Sequence, residues 1–212
     1  MKLTYILPVA AVILLSSFVL MSPYKTSHLF DGKTFAGWQG DTVNTWRISD
    51  GMLIGGSVDK MQPHNEFIST TETYSNYILR LKFKLTGTEG FINTGVQFHS
   101  KRISNPPYEM TGYQADLGDG FWGCLYDESR RDRILIAPDS NVIKKALRRN
   151  QWNDYEIYSN NGRIRIKLNG AQTIDYTEPD KTIPQQGHIA LQLHGGGKTQ
   201  VSYKDIVLQE IK

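Results

Sequence analysis

Between Tyr155 and Tyr176 the chain reads YEIYSNNGRIRIKLNGAQTIDY. Two Asn-Gly pairs, Asn161-Gly162 and Asn169-Gly170, divide it into three runs in which apolar and polar residues alternate. Two-residue hairpin turns match the twist of their strands when both central residues take positive φ, which Asn and Gly do at least cost. A period of two does not build one face of a helix. The segment therefore predicts a three-stranded antiparallel meander. TWRISDGMLIGG places Asp50-Gly51 between two short apolar runs in the same way, and YILRLKFKL, VQFHS, IALQLHG and VSYKDIVLQEI also alternate. One short helix is expected, where Val142, Ile143, Ala146 and Leu147 share a face beside the basic run KKALRR at 144–149. Many short strands and a single helix predict an all-β protein, a β-sandwich of two packed antiparallel sheets. No repeat, low-complexity tract or linker interrupts residues 28–212, so they are expected to form a single domain.

The start of the chain reads differently. MKLTYILPVAAVILLSSFVLM carries Lys2 and then an apolar run from Ile6 to Met21, short for a membrane span and suited to the core of an export signal. Residues 1–27 are expected to be a signal peptide or an uncleaved N-terminal anchor, and the domain to be exported, in a bacterial periplasm. Cys124 is the only cysteine, so the fold has neither an internal disulfide nor a thiolate metal cluster. A net charge of +3 at pH 7 gives no argument for nucleic acid as a partner, and no membrane contact is expected beyond the leader.

Alternation also assigns faces. Gln97 and His99 oppose Val96 and Phe98; Gln114 and Asp116 oppose Tyr113 and Ala115; Gln192 and His194 oppose Leu191 and Leu193. If the three strands adjoin, one sheet face carries amides, imidazoles and a carboxylate, groups that donate and accept together as sugar hydroxyls require. Trp38, Trp46 and Trp152 read as core. Trp122 lies between glycines in a polar loop, either stacking on a sugar ring or packing half-buried.

The succession HLFDGKTFAGW, DGMLIGG, HNEFIST, YILRLKFKL, NTGVQFHS, GYQADLGDGFWGCLYDESRR, QWNDYEI and IKLNG resembles the family first known as a domain of unknown function, DUF1080, and now described as the 3-keto-disaccharide hydrolase, or 3-keto-glucoside lyase and hydratase, domain. The likeness runs from about His28 to the C-terminus. It implies a concanavalin- or laminin-G-like sandwich and a role in extracytoplasmic sugar breakdown, with a small-molecule carbohydrate as partner. One departure is His99, at a position where the family usually has arginine. Histidine loses the fixed fork and permanent charge of a guanidinium.

A sugar oxidised at C3 has an acidic C2 proton, because the enolate is delocalised onto the ketone. A base, an electrophile at the ketone oxygen and an acid at the leaving oxygen would then cleave the glycosidic bond by elimination, with hydration to follow. Direct hydrolysis by paired carboxylates is the rival route. The candidate catalytic residues are Glu66, Asp116, Glu128, His99 and Arg130, with Glu66 or Asp116 as base. Arg130 and Arg131 either polarise the ketone or pair with Asp127 and Glu128. Gln97, Gln114, Trp122, Tyr126, Gln192 and His194 are the candidate sugar-binding residues. His99, His194, Asp116 and Glu66 are also the donors from which a divalent cation would be held. A non-catalytic carbohydrate-binding module is the alternative function, and an interaction domain without a sugar role the third.

Overall fold

The computed structural model describes residues 25–211, so the leader up to residue 24 lies outside the described residues. The strands are β1 (Thr26–His28), β2 (Trp38–Gln39), β3 (Trp46–Ser49), β4 (Met52–Gly56), β5 (Glu66–Thr70), β6 (Tyr77–Gly90), β7 (Asn93–Arg102), β8 (Met110–Gly118), β9 (Leu125–Glu128) and β10 (Arg133–Ile136). Helix α1 (Ser140–Ala146) follows, then β11 (Asn153–Asn160), β12 (Arg163–Leu168), β13 (Ala171–Thr177), β14 (His188–Leu193) and β15 (Gly197–Glu210). Strand β1 pairs with the end of β15, so the ordered sheet begins at Thr26 rather than at His28.

The hairpin signals form as their chemistry dictates. Asn161 and Gly162 sit at φ 48 and 82, Asn169 and Gly170 at 49 and 82, and Asp50 and Gly51 at 51 and 73, the double positive φ that keeps twisted strands in register. In α1, the side chain of Asp139 accepts from the amide of Asn141 at the N-terminus. Ile143, Ala146 and Leu147 lie against the core.

The strands make two sheets. The eight-stranded sheet runs β13-β12-β11-β6-β15-β4-β3 with β1 also on β15, and the seven-stranded sheet runs β10-β9-β8-β7-β14-β5-β2. Every pairing is antiparallel, and short connections join the consecutive pairs β3–β4, β7–β8, β8–β9, β9–β10, β11–β12 and β12–β13. Leu81, Phe83, Ile157 and Ile166 of the first sheet meet Val96, Phe98, Ala115, Leu117 and Leu191 of the second. A fully buried side chain of this kind contributes about 1.5–3 kcal/mol. Trp38 and Trp46 are core residues, whereas Trp152 is half-buried on the outside of the eight-stranded sheet, with Lys204 Nζ 4.3 Å from its ring centroid.

Candidate functional site

The three Gln-bearing strands adjoin, in the order β8-β7-β14. Gln97 pairs with Gln114 and Ala190, and Gly95 with Asp116 and Gln192, so these residues share the outer face of the seven-stranded sheet. Gly95 holds the arrangement together. Gln114 lies directly over it, and a Cβ at position 95 would fall 2.5 Å from Gln114 Cδ. The space left by the missing side chain lets Gln114 cross the strand, where its Nε2 donates to Gln192 Oε1 at 3.1 Å and to Glu128 Oε2 at 3.3 Å.

Although this is an outer face, it is sheltered. Gln97, Gln114, Asp116 and Gln192 are all buried. Gln97 Oε1, Gln114 Oε1, Gln192 Nε2 and Asn93 Oδ1 have no protein partner. Each unpaired buried amide group costs about 1–3 kcal/mol, which hydrogen bonds to a ligand's hydroxyls would recover.

The carboxyl groups here are displaced upward. Burial raises Asp116 to about 7, against partial relief from Asn93 Nδ2, which donates to Oδ1 at 3.0 Å. Burial raises Glu128 to about 8, reinforced by the negative charges of Glu109 and Asp116. Glu109 is thus a third carboxyl of the cluster, and it escaped the sequence reading because it precedes the alternation of β8. Its Oε1 accepts from the Met110 amide and its Oε2 from Asn65 Nδ2, both at 3.0 Å.

Aromatic rings stand around this floor. Phe91, Phe121 and Tyr126 form an edge-to-face chain with centroids 6.0 and 6.3 Å apart, and His194 meets Phe91 at 4.6 Å. His64 stacks on Tyr108 at 4.0 Å. The glycines after His194 admit this loop rather than a ligand, since a Cβ on Gly195 would fall 2.7 Å from the Cα of His64. Phe91 and Phe121 carry no polar periodicity that would mark them in the sequence. Phe121 holds the place expected of Trp122. Trp122 instead stacks toward Phe83 of the core, donates from Nε1 to Asp119 at 2.9 Å and is half-buried.

Three other expected residues stand elsewhere. His99 does not share the face of Gln97. A bulge between Phe98 and Lys101, with His99 at φ 48, turns the ring inward. There Nε2 lies 3.0 Å from the carbonyl oxygen of Ser75 and 3.2 Å from Ser159 Oγ, and the ring meets Tyr77 and Tyr113 edge-on. Burial lowers its pKa to about 4, so it is neutral at pH 7. Arg130 lies on the core side as well, 4.6 Å over the ring of Tyr113, with Nε donating to Asp127 Oδ1 at 2.8 Å. Arg131 joins the same buried Asp127 to Glu178, donating from Nη2 to Glu178 Oε2 at 2.8 Å. These arginines pair with Asp127, as one of the two sequence alternatives had it, but the second carboxylate is Glu178 and not the expected Glu128, and both lie away from the floor. Glu66 begins β5, its Oε1 3.5 Å from His64 Nδ1. Burial raises its pKa, and its electrostatic neighbours are His64, Asp41 and Arg102, not Asp116 or Glu128. Among the described residues, no three His, Cys, Asp or Glu side chains converge as a metal site, and His99, His194, Asp116 and Glu66 do not come together.

The family described as the 3-keto-alpha-glucoside-1,2-lyase-like domain matches residues 25–209. The chain belongs to this family. The match covers both sheets and every residue of the site described above. No curated protein matches the chain by sequence. Solved structures share the fold. A candidate glycosyl hydrolase from Parabacteroides distasonis superposes with a TM-score of 0.65 at 20% identity, covering 88% of this chain and 94% of that one. The carbohydrate-binding module CBM66 from Bacillus subtilis gives 0.61 at 14% identity over 80% of this chain and 93% of that one. A β-glucanase from Bacillus licheniformis gives 0.54 at 10% identity over 91% and 99%. The chain is a carbohydrate-acting domain on a glucanase-like β-sandwich.

Proposed function

We propose that the outer face of the seven-stranded sheet cleaves 3-keto-glucosides by elimination followed by hydration. The observation that carries this reading is the pair of unequal carboxyls, Asp116 and Glu128, on a floor of unpartnered amides. Near neutral pH a group titrating at about 7 is substantially ionised, while one at about 8 is mostly protonated. Environments that push two neighbouring carboxyls apart assign a base and an acid.

Asp116 takes the proton from C2, and the electron pair of that C–H bond enters the enolate of the C3 ketone. Gln192 Nε2, a donor without a protein partner, serves the ketone oxygen on which charge develops. As the enolate collapses, the bond from C1 to the aglycone oxygen breaks, and Glu128 delivers its proton to that oxygen. Water then adds across the C1–C2 double bond, giving the free 3-keto sugar. Gln97 and Gln114 orient hydroxyls, and Phe91, Phe121 and Tyr126 offer apolar edges to the sugar's C–H face.

A second reading, a non-catalytic carbohydrate-binding module, is favoured by the enclosure of Asp116. It is 3% exposed and its Oδ1 already accepts from Asn93 and from the Leu117 amide. Incubation with a 3-keto-glucoside in deuterated water separates the readings. Release of 3-keto-glucose carrying deuterium at C2 supports elimination. Release without deuterium points to direct hydrolysis, and binding without release leaves the module.

A further inference from the structure

A pocket of ≈ 600 Å³ opens at one end of the sandwich, on the other side of β7 and β8 from the carboxyl cluster. Its wall includes His99, Ser100, Lys101, Thr111, Arg130 and His188. Thr111 alternates in phase with Tyr113 of the core and pairs with Lys101, and Arg130 lies over the Tyr113 ring, so the pocket sits on the core side of the sheet. Glu128 and Gln114 look out from the opposite face. The volume is that of a small-molecule site.

The wall is rich in donors. Three hydroxyls, of Thr73, Ser100 and Thr111, the Gln186 amide, an ammonium, a guanidinium and two imidazoles line the space, and no aspartate or glutamate does. Arg130 and Arg131 are balanced by Asp127 and Glu178 behind the wall. Lys101 is exposed and makes no ion pair among the described residues, so its charge is left over. One wall donor is buried without a hydrogen bond, Arg130 Nη2, which lies 2.6 Å from Asp127 Oδ1 but outside hydrogen-bonding geometry; neutral His99 gives its Nε2–H to the Ser75 carbonyl, so its Nδ1 is a lone pair and adds no donor. His188 is oriented by its Nδ1, 3.2 Å from the carbonyl oxygen of Glu72. Donors and surplus positive charge in a concave site, with no competing carboxylate, select an acceptor that carries negative charge.

We propose that this pocket binds a small anion: a phosphate, sulfate or carboxylate group, free or carried on a sugar. The site is separate from the proposed cleavage chemistry and stands or falls without it. The whole chain is titrated at low salt with inorganic phosphate, glucuronate and glucose, following backbone amides by NMR. Phosphate or glucuronate is expected to saturate with a Kd on the order of 1 mM or tighter, shifting the amides of Lys101 and Thr111. Lys101→Glu, at an exposed position, weakens this binding about tenfold or more while leaving 3-keto-glucoside turnover and the melting temperature unchanged. Thr111→Val weakens it through loss of a hydroxyl. A response to phosphate alone assigns the free anion, and to glucuronate alone an acidic sugar. The proposal is overturned if glucose binds as well as glucuronate, if the shifts fall on Gln114 and Gln192 instead, if no probe saturates, or if Lys101→Glu binds like the parent.

Discussion

Gly95→Ala tests the architecture of the site with one methyl group. The three atoms nearest to an added Cβ are Gln114 Cδ, Cγ and Nε2, at 2.5, 2.6 and 2.9 Å. No backbone atom is among them, and Gly95 is not at positive φ, so the strand itself accepts alanine. Gln114 must therefore move. It then loses its bonds to Gln192 and Glu128. Overpacking of this kind costs about 1–3 kcal/mol, and a buried amide left unpaired costs a similar amount. In a chain of 212 residues, 1 kcal/mol lowers Tm by roughly 2–4 °C, so Gly95→Ala is expected to melt several degrees early. Turnover of a 3-keto-glucoside should fall by at least about tenfold, the equivalent of 1.4 kcal/mol. The decisive assay is a double-mutant cycle with Gln114→Ala. Once the amide is gone the methyl has nothing to strike, and the added cost of Gly95→Ala should shrink to about 0.5 kcal/mol or less. If Gly95→Ala costs as much in the Gln114→Ala background as in the parent, the reasoning is wrong and the glycine serves another purpose.

Other consequences can be checked in parallel. Because Asp116 and Glu128 have raised pKa values, the folded chain holds protons that the unfolded chain has released, so their contribution to stability is full below about pH 4 and is lost as pH rises to about 7 and 8. Asp116→Asn and Glu128→Gln should each flatten the fall in denaturation midpoint over that window, and an unchanged slope would contradict the assignment. Turnover should rise through about pH 7 as Asp116 ionises and fall above about pH 8 as Glu128 does, with Glu128→Gln abolishing the alkaline limb of whatever activity remains. Arg131→Ala leaves Asp127 its partner Arg130 but removes the cation paired with buried Glu178, and should cost about 3 kcal/mol in urea unfolding, with Arg131→Lys recovering part. Gly162→Ala, at φ 82, should cost about 1–2 kcal/mol without changing turnover.

The sequence made the scaffold readable because strand turns are local chemistry. Asn161-Gly162 needs nothing beyond its own backbone to declare a hairpin. The polar face was readable for a related reason: alternation is local, and Gln97, Gln114 and Gln192 obey it. What failed depended on a single residue breaking the period. The bulge at His99 flips the phase of β7, and no neighbouring residue type announces it, so a histidine that alternation puts beside Gln97 ends against Tyr77 and Ser159. Arg130 failed differently. Its sequence neighbour Glu128 faces the site, but Asp127, one position earlier, faces the core, and the buried charge drew the guanidinium. Glu109 was invisible because its role comes from the loop that carries it back to Asn65, a contact 44 positions apart in the chain.

Strand β14 lies between β5 and β7 in the seven-stranded sheet, yet it is made more than eighty residues after β7. Until residues 188–193 arrive, β5 and β7 have no common neighbour, and the amide floor lacks Gln192. The last piece of the site is thus also the wedge that joins two halves of its sheet. In a chain still emerging from the ribosome this sheet has two open inner edges, on β5 and β7, and an incomplete amide floor, and β14 closes the one and completes the other in the same late step. Any shortened product that stops before His188 should be inert and adhesive together, so loss of activity and gain of aggregation are one event in this fold.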